Sequence, residues 1–208
     1  MQALILVDLQ YDFLPTGLLP VPQGDEVIPL AVELMSHFDR VVATQDWHPA
    51  NHGSFAANHP WRKPGQVIDL FGLPQVLWPI HCVQGSFGAE LVDQLDQDKI
   101  TQVFQKGTDP EIDSYSGLFD NGHRKSTGMG EWLKEQGVDT VFVLGLAADY
   151  CVKFTALDAL QEGFVTYLIT DATRGVNLEE GDVEKAFAEV AAAGGHLIKS
   201  EEVVGLTS

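Results

Sequence analysis

Apolar residues follow two rhythms along this chain. Short runs of aliphatic and β-branched residues at 3–7, 41–44, 103–104 (ending at Lys106), 140–144, 165–170 and 196–199 read as strands. Helical spacing fills most of the gaps. After Asp25, a suitable N-cap, Leu30, Leu34 and Phe38 fall at i, i+4 and i+8, and Val152, Ala156 and Leu160 repeat that spacing. Residues 90–95, 131–136 and 183–193 are further helical segments. Helices that stop at Gly137, Gly163 and Gly194 stand directly before a strand, where glycine suits the left-handed closing position. Strands separated by helices imply right-handed crossovers and a parallel sheet covered on both faces. The expectation is a single α/β domain over residues 1–208. It is a three-layer α/β/α sandwich with a mostly parallel sheet of about six strands. Residues 47–87, rich in Pro, His, Trp and Gly, break the rhythm, and a loop of that length belongs to a binding site.

Composition narrows the functional classes. A length of 208 residues fits one domain, and no stretch reaches the roughly 18 consecutive apolar residues of a membrane span. The first apolar run has no basic segment ahead of it, so it reads as a strand rather than a signal peptide, and a cytoplasmic protein is expected. A formal net charge of -18 repels phosphate backbones and anionic lipid, which excludes nucleic acid and membranes as partners. Two cysteines, Cys82 and Cys151, cannot build a disulfide framework, so each is a buried small side chain or a reactive thiol.

Candidate chemistry collects at the strand ends. Asp8, Asp46, Lys106 and Cys151 each lie at or just after the C-terminal end of an expected strand, the edge where open parallel sheets bind ligands. Cys151 opens a helix, whose free N–H groups and dipole lower a thiol pKa and can hold an oxyanion; taken alone it is better explained by packing. Asp8 can exchange a proton with a thiol, or cap a turn. Lys106 can neutralise both, or be solvated surface. Asp46-Trp47-His48 sets a carboxylate and an imidazole two residues apart, on one side of an extended chain. His52, His59 and His81 follow, and such oxygen and imidazole donors suit zinc, iron or manganese; scattered surface histidines are the plain alternative. Cys82 is read as packing.

Five motifs, in order along nearly the whole chain, resemble the nicotinamidases of the isochorismatase-like hydrolases. They are Val7-Asp8-Leu9-Gln10, Gln45-Asp46-Trp47-His48-Pro49, Trp78-Pro79-Ile80-His81-Cys82, Lys106-Gly107 and Asp149-Tyr150-Cys151-Val152. Residues 106–121 (KGTDPEIDSYSGLFDN) and the Cys151 region are the most specific. The resemblance implies a catalytic triad of Asp8, Lys106 and Cys151, and one divalent metal ion, zinc first among the candidates, on Asp46, His48 and His81. Waters or His52 would complete its shell. It also implies a pocket walled by Phe13, Trp78, Tyr115 and Tyr150, and a cis peptide at Leu146–Ala147 that turns the N–H groups of Ala147 and Cys151 toward an oxyanion. The implied substrate is nicotinamide, its pyridine nitrogen held by the metal, in NAD salvage and with pyrazinamide as a further substrate. The partner is thus a small molecule, with the protein itself a monomer or homo-oligomer. Tyr11, Ile80 and Ala148 depart from the asparagine, aspartate and threonine common in the family. The alternative is a related cysteine amidohydrolase acting on an N-carbamoyl or ureido compound, which the Asp46, His48 and His81 set argues against.

Overall fold

In a computed structural model that describes residues 1–207, all six apolar runs form strands of one sheet. In chain order the elements are β1 (Gln2–Val7), α1 (Val27–Leu34), β2 (Val41–Asp46), β3 (Val67–Leu70), β4 (Leu73–Val76) and β5 (Ile100–Lys106). There follow α2 (Met129–Glu135), β6 (Thr140–Leu146), α3 (Lys153–Gln161), β7 (Val165–Arg174), α4 (Asp182–Ala192), β8 (His196–Ile198) and α5 (Ser200–Leu206). The sheet order is β5-β2-β1-β6-β7-β8, and every neighbouring pair is parallel.

Both faces of the sheet are buried, and alternation along β1 shows how. Leu4 and Leu6 join a core with α1 residues Val27, Ile28, Ala31 and Leu34 and with Val203 of α5. Ala3, Ile5 and Val7 face the other way, onto Met129 and Leu133 of α2, Ala156 and Ala159 of α3, and Val190 of α4. This is the expected three-layer sandwich. Among the described residues no helix is long and apolar enough to cross a membrane.

Four local expectations change. The first helix buries Val27, Ile28, Ala31 and Leu34 and ends before Phe38, which is extended and packs its ring 5.0 Å from Phe142. Residues 90–95 are not helical. Leu91 bridges Gln10 in antiparallel fashion and the Val92 N–H donates to Leu9 O, so this apolar stretch enters the core as extended chain. Inside the 47–87 segment, β3 and β4 make a hairpin around Phe71-Gly72, both at positive φ as a tight two-residue turn requires. The chain also adds α5, anchored by the buried Val203.

The sheet order reverses direction between β1 and β6: from β1 the chain steps outward to β2 and β5, then returns to β6 on its other side. A crevice opens above the strand ends at such a reversal. Gly145 of β6 sits at this seam with φ +125, and a Cβ there would stand 2.2 Å from the Val7 carbonyl oxygen. Gly145→Ala should therefore lower unfolding free energy by at least about 2 kcal/mol in urea denaturation, since it adds backbone strain to a backbone clash.

Candidate active site

The strand ends bring four reactive side chains to that crevice. Asp46 and Lys106 close β2 and β5 as register partners, so their side chains project from the same face. Asp8 leaves β1 in a left-handed conformation (φ +49), which aspartate tolerates better than most residues. Its N–H donates to Thr44 Oγ1 at 3.1 Å, and the Thr44 hydroxyl donates back to Asp8 Oδ1 at 2.6 Å. Gln10 performs a similar exchange with the Asp46 backbone, giving an amide N–H to its carbonyl and accepting its N–H.

Lys106 is the meeting point. Its Nζ lies 2.9 Å from Asp8 Oδ2 and 2.5 Å from Asp46 Oδ1, donates to Ser114 O at 2.9 Å, and reaches Cys151 Sγ at 3.4 Å. The side chains of both Lys106 and Asp8 are wholly buried. Sγ and one oxygen each of Asp8 and Asp46 fall within 4.8 Å of one another. Cys151 rides on a π-helical turn, Ala148–Val152, that leads into α3; such turns recur at functional sites. The preceding Leu146–Ala147 peptide is cis, as the resemblance implies.

Burial and charge divide the two carboxylates. Burial raises the pKa of Asp8, helped by repulsion from Asp46, and outweighs the pull of Lys106. For Asp46, burial acts upward too, but Lys106 and His48 hold it well below the usual carboxylate range. Asp46 is thus a fixed anion and Asp8 the one poised to carry a proton, the separation expected of a paired acid and base. Cys151 departs from expectation. Burial pushes its thiol well above the ordinary value, reinforced by Asp8 and Asp46 against Lys106, so the helix start does not leave a standing thiolate.

Beside this cluster, Asp46 Oδ2 lies 3.4 Å from His48 Nε2 and 3.7 Å from His81 Nε2. Each imidazole gives its Nδ1–H to a backbone carbonyl, His48 to Gly107 O and His81 to Pro79 O, both at 2.8 Å. That orients both rings and turns each Nε2 toward Asp46. His48 Nε2 is buried without a hydrogen-bond partner. An anionic oxygen and two imidazole nitrogens converging around an unsatisfied atom fit a divalent cation. His52 stands on the other side of His48, grouped with it and Asp113 rather than with Asp46 and His81, and burial lowers its pKa to about 4. His59 is engaged with Gly53 O.

A narrow cleft leads down to Cys151. Its walls include Phe13, Trp78, Tyr115, Ala147 and Tyr150, with Asp46 and His81 to one side. Tyr115 and Trp78 each pack edge-on against Tyr150, at 5.3 and 4.9 Å between ring centroids, and Trp78 Nε1–H donates to the Tyr115 hydroxyl. All five residues expected around a substrate therefore meet. Leu19, Asp113 and Val176 also line the cleft and were not anticipated. Leu19 and Val176 are aliphatic residues in loops, with nothing periodic to mark them. Cys82 lies outside the cleft, buried, and burial pushes its thiol well up.

The chain belongs to the isochorismatase-domain family, whose model matches residues 2–202. Within it, the nicotinamidase of Escherichia coli (strain K12) is 52% identical over 203 residues, covering 94% of this chain and 93% of that protein. A solved nicotinamidase pyrazinamidase of Acinetobacter baumanii superposes with a TM-score of 0.94 at 44% identity, with 97% of each chain covered. A pyrazinamidase of Pyrococcus horikoshii, solved in complex with zinc, has a TM-score of 0.77 at 38% identity, covering 95% of this chain and 98% of that one.

Lys106→Met leaves two buried carboxylates facing each other without their cation. Urea denaturation of the chelator-treated protein should show a loss of about 3–5 kcal/mol. Adding Asp8→Asn to that variant should restore part of it.

Proposed function

We propose that this protein hydrolyses nicotinamide to nicotinic acid and ammonia through a thioester on Cys151. The observation that carries the reading is the contact of Lys106 with Asp8, Asp46 and Cys151 at the base of an aromatic cleft. The relatives' activities support the choice of substrate.

The substrate ring slides between the aromatic walls, with its carboxamide carbon toward Sγ. Asp8 takes the thiol proton as sulfur attacks, because the thiol is protonated at rest and Asp8 is the carboxylate that accepts a proton. Backbone N–H groups of Ala147 and Cys151 hold the oxyanion. Lys106 keeps its positive charge throughout, which burial opposes but Asp46 and Asp8 enforce, and it steadies the anionic partners of each step. Asp8 then returns the proton to the departing ammonia, and water hydrolyses the thioester. Splitting one difficult hydrolysis into two easier steps is the gain of a covalent route. Asp46, His48 and His81 would hold a divalent ion, with zinc first among the candidates, and this ion when bound supplies a positive point for the pyridine nitrogen. Waters would complete its shell. Pyrazinamide, which shares the ring nitrogen and the carboxamide, is a second substrate, and the physiological role is NAD salvage in the cytoplasm.

Ammonia release from nicotinamide tests this. Cys151→Ala should lose at least about a thousandfold in turnover while keeping one bound metal per chain. Full activity in Cys151→Ala would exclude the covalent route. Chelation should abolish activity at low substrate, and zinc should restore it.

A further inference from the structure

His81 lies in a stretch without regular structure, between β4 and the short turn Phe87–Ala89. Its ring is oriented by Pro79 O, but its position against His48 is set by the next residue. Cys82 is held by both of its backbone groups: its carbonyl accepts the His48 N–H at 3.0 Å, and its N–H donates to Asp12 Oδ2 at 2.7 Å. Cys82 has φ +45, a left-handed conformation that a non-glycine residue keeps only where its surroundings enforce it.

Asp12 is the buried group that does so. It is 4% exposed, and among the described residues no cationic side chain pairs with it. Its charge is taken up instead by backbone N–H groups, that of Cys82 on Oδ2 and that of Leu18 on Oδ1 at 3.2 Å. Carboxylates bound this way form short, strong contacts. Gly88 makes the approach possible. A Cβ there would stand 2.2 Å from Asp12 Oδ1 and 2.3 Å from Oδ2, so any side chain drives the carboxylate away from Cys82.

We infer that Asp12 is a positioning residue for the cation site. It holds the Cys82 peptide, and with it His81, against His48, so that both imidazoles and Asp46 converge before any cation arrives. This rests on the reading of Asp46, His48 and His81 as cation ligands. The carboxylate charge is used locally, on one loop peptide, and touches neither the reacting atoms nor the cation.

The test is zinc affinity of the metal-free protein, measured by competition with a chromophoric chelator, alongside thermal unfolding. Asp12→Ala should weaken zinc binding by roughly 10–100-fold, the usual cost of losing a group that orients a ligand. Asp12→Asn keeps one acceptor oxygen and should fall between. Gly88→Ala, with Asp12 intact, should also weaken binding. A purely structural role lowers the melting temperature but leaves the zinc affinity of the folded protein unchanged. The inference is overturned if folded Asp12→Ala binds zinc within about twofold of wild type. Where that variant does not fold, wild-type affinity in both Asp12→Asn and Gly88→Ala overturns it. His81→Ala separates the two readings. If it binds zinc like wild type, the cation site itself is wrong and the inference falls with it. If it loses zinc while the Asp12 variants do not, the inference alone fails.

Discussion

One buried ammonium group organises this molecule. Lys106 Nζ sits within hydrogen-bonding distance of two carboxylates, one carbonyl and, at 3.4 Å, one thiol, in a place that water does not reach. Removing a charge from water costs several kcal/mol unless partners replace the lost solvation. Here the partners come from the ends of β1 and β2, from Ser114 in the loop after β5 and from the turn after β6, so solvating the lysine also ties these four segments to the end of β5. The same constraint decides the protonation pattern. Lys106 lies between both aspartates, yet only Asp46 has His48 to add to its pull. The outcome is one permanent anion and one proton carrier from two identical side chains.

The sheet supplies the geometry that makes this possible. With β1 central and the chain running outward on both sides, the ends of β1 and β6 meet at the reversal, and Asp8 and the Cys151 turn face each other across it. The sandwich core lies below, with both faces of β1 packed in separate apolar clusters. Close packing of that kind leaves few voids and little freedom for the strand ends to shift.

Much of this was readable from residues alone, because strand ends are easy to find when strands are buried on both faces. Asp8, Asp46, Lys106 and Cys151 stood out by position, and the fold class followed from the alternation of strands and helices. What escaped was decided by contacts between distant segments. The apolar residues at 90–95 fit a helical period, but the backbone of Leu9 and Gln10 captured them as extended chain. Pro74 in β4 hid the hairpin, since proline argues against a strand. Thr44 and Gln10 hold the two strand-end aspartates by paired hydrogen bonds, which leave no periodic trace. The raised thiol pKa was hidden for a related reason: a helix start was visible in the sequence, but the depth at which Cys151 is buried was not.

The strand-end groups and the loop groups are secured by different physics. Asp8, Asp46 and Lys106 inherit their positions from a parallel sheet, where register fixes each Cα. The residues around them, His81, Leu19 and Val176 among them, sit on irregular chain outside the sheet. Buried carboxylates take over there. Asp12 accepts backbone N–H groups from Leu18 and Cys82, and Asp149, two residues before Cys151, accepts those of Val176 and Asn177 at 2.9 and 2.7 Å. A carboxylate suits this task because it offers only acceptors, in several directions, to N–H groups that irregular chain leaves unpaired. Part of the acidic excess of this chain is therefore internal architecture, spent on holding loops to the rim of a cleft that the sheet alone could not shape.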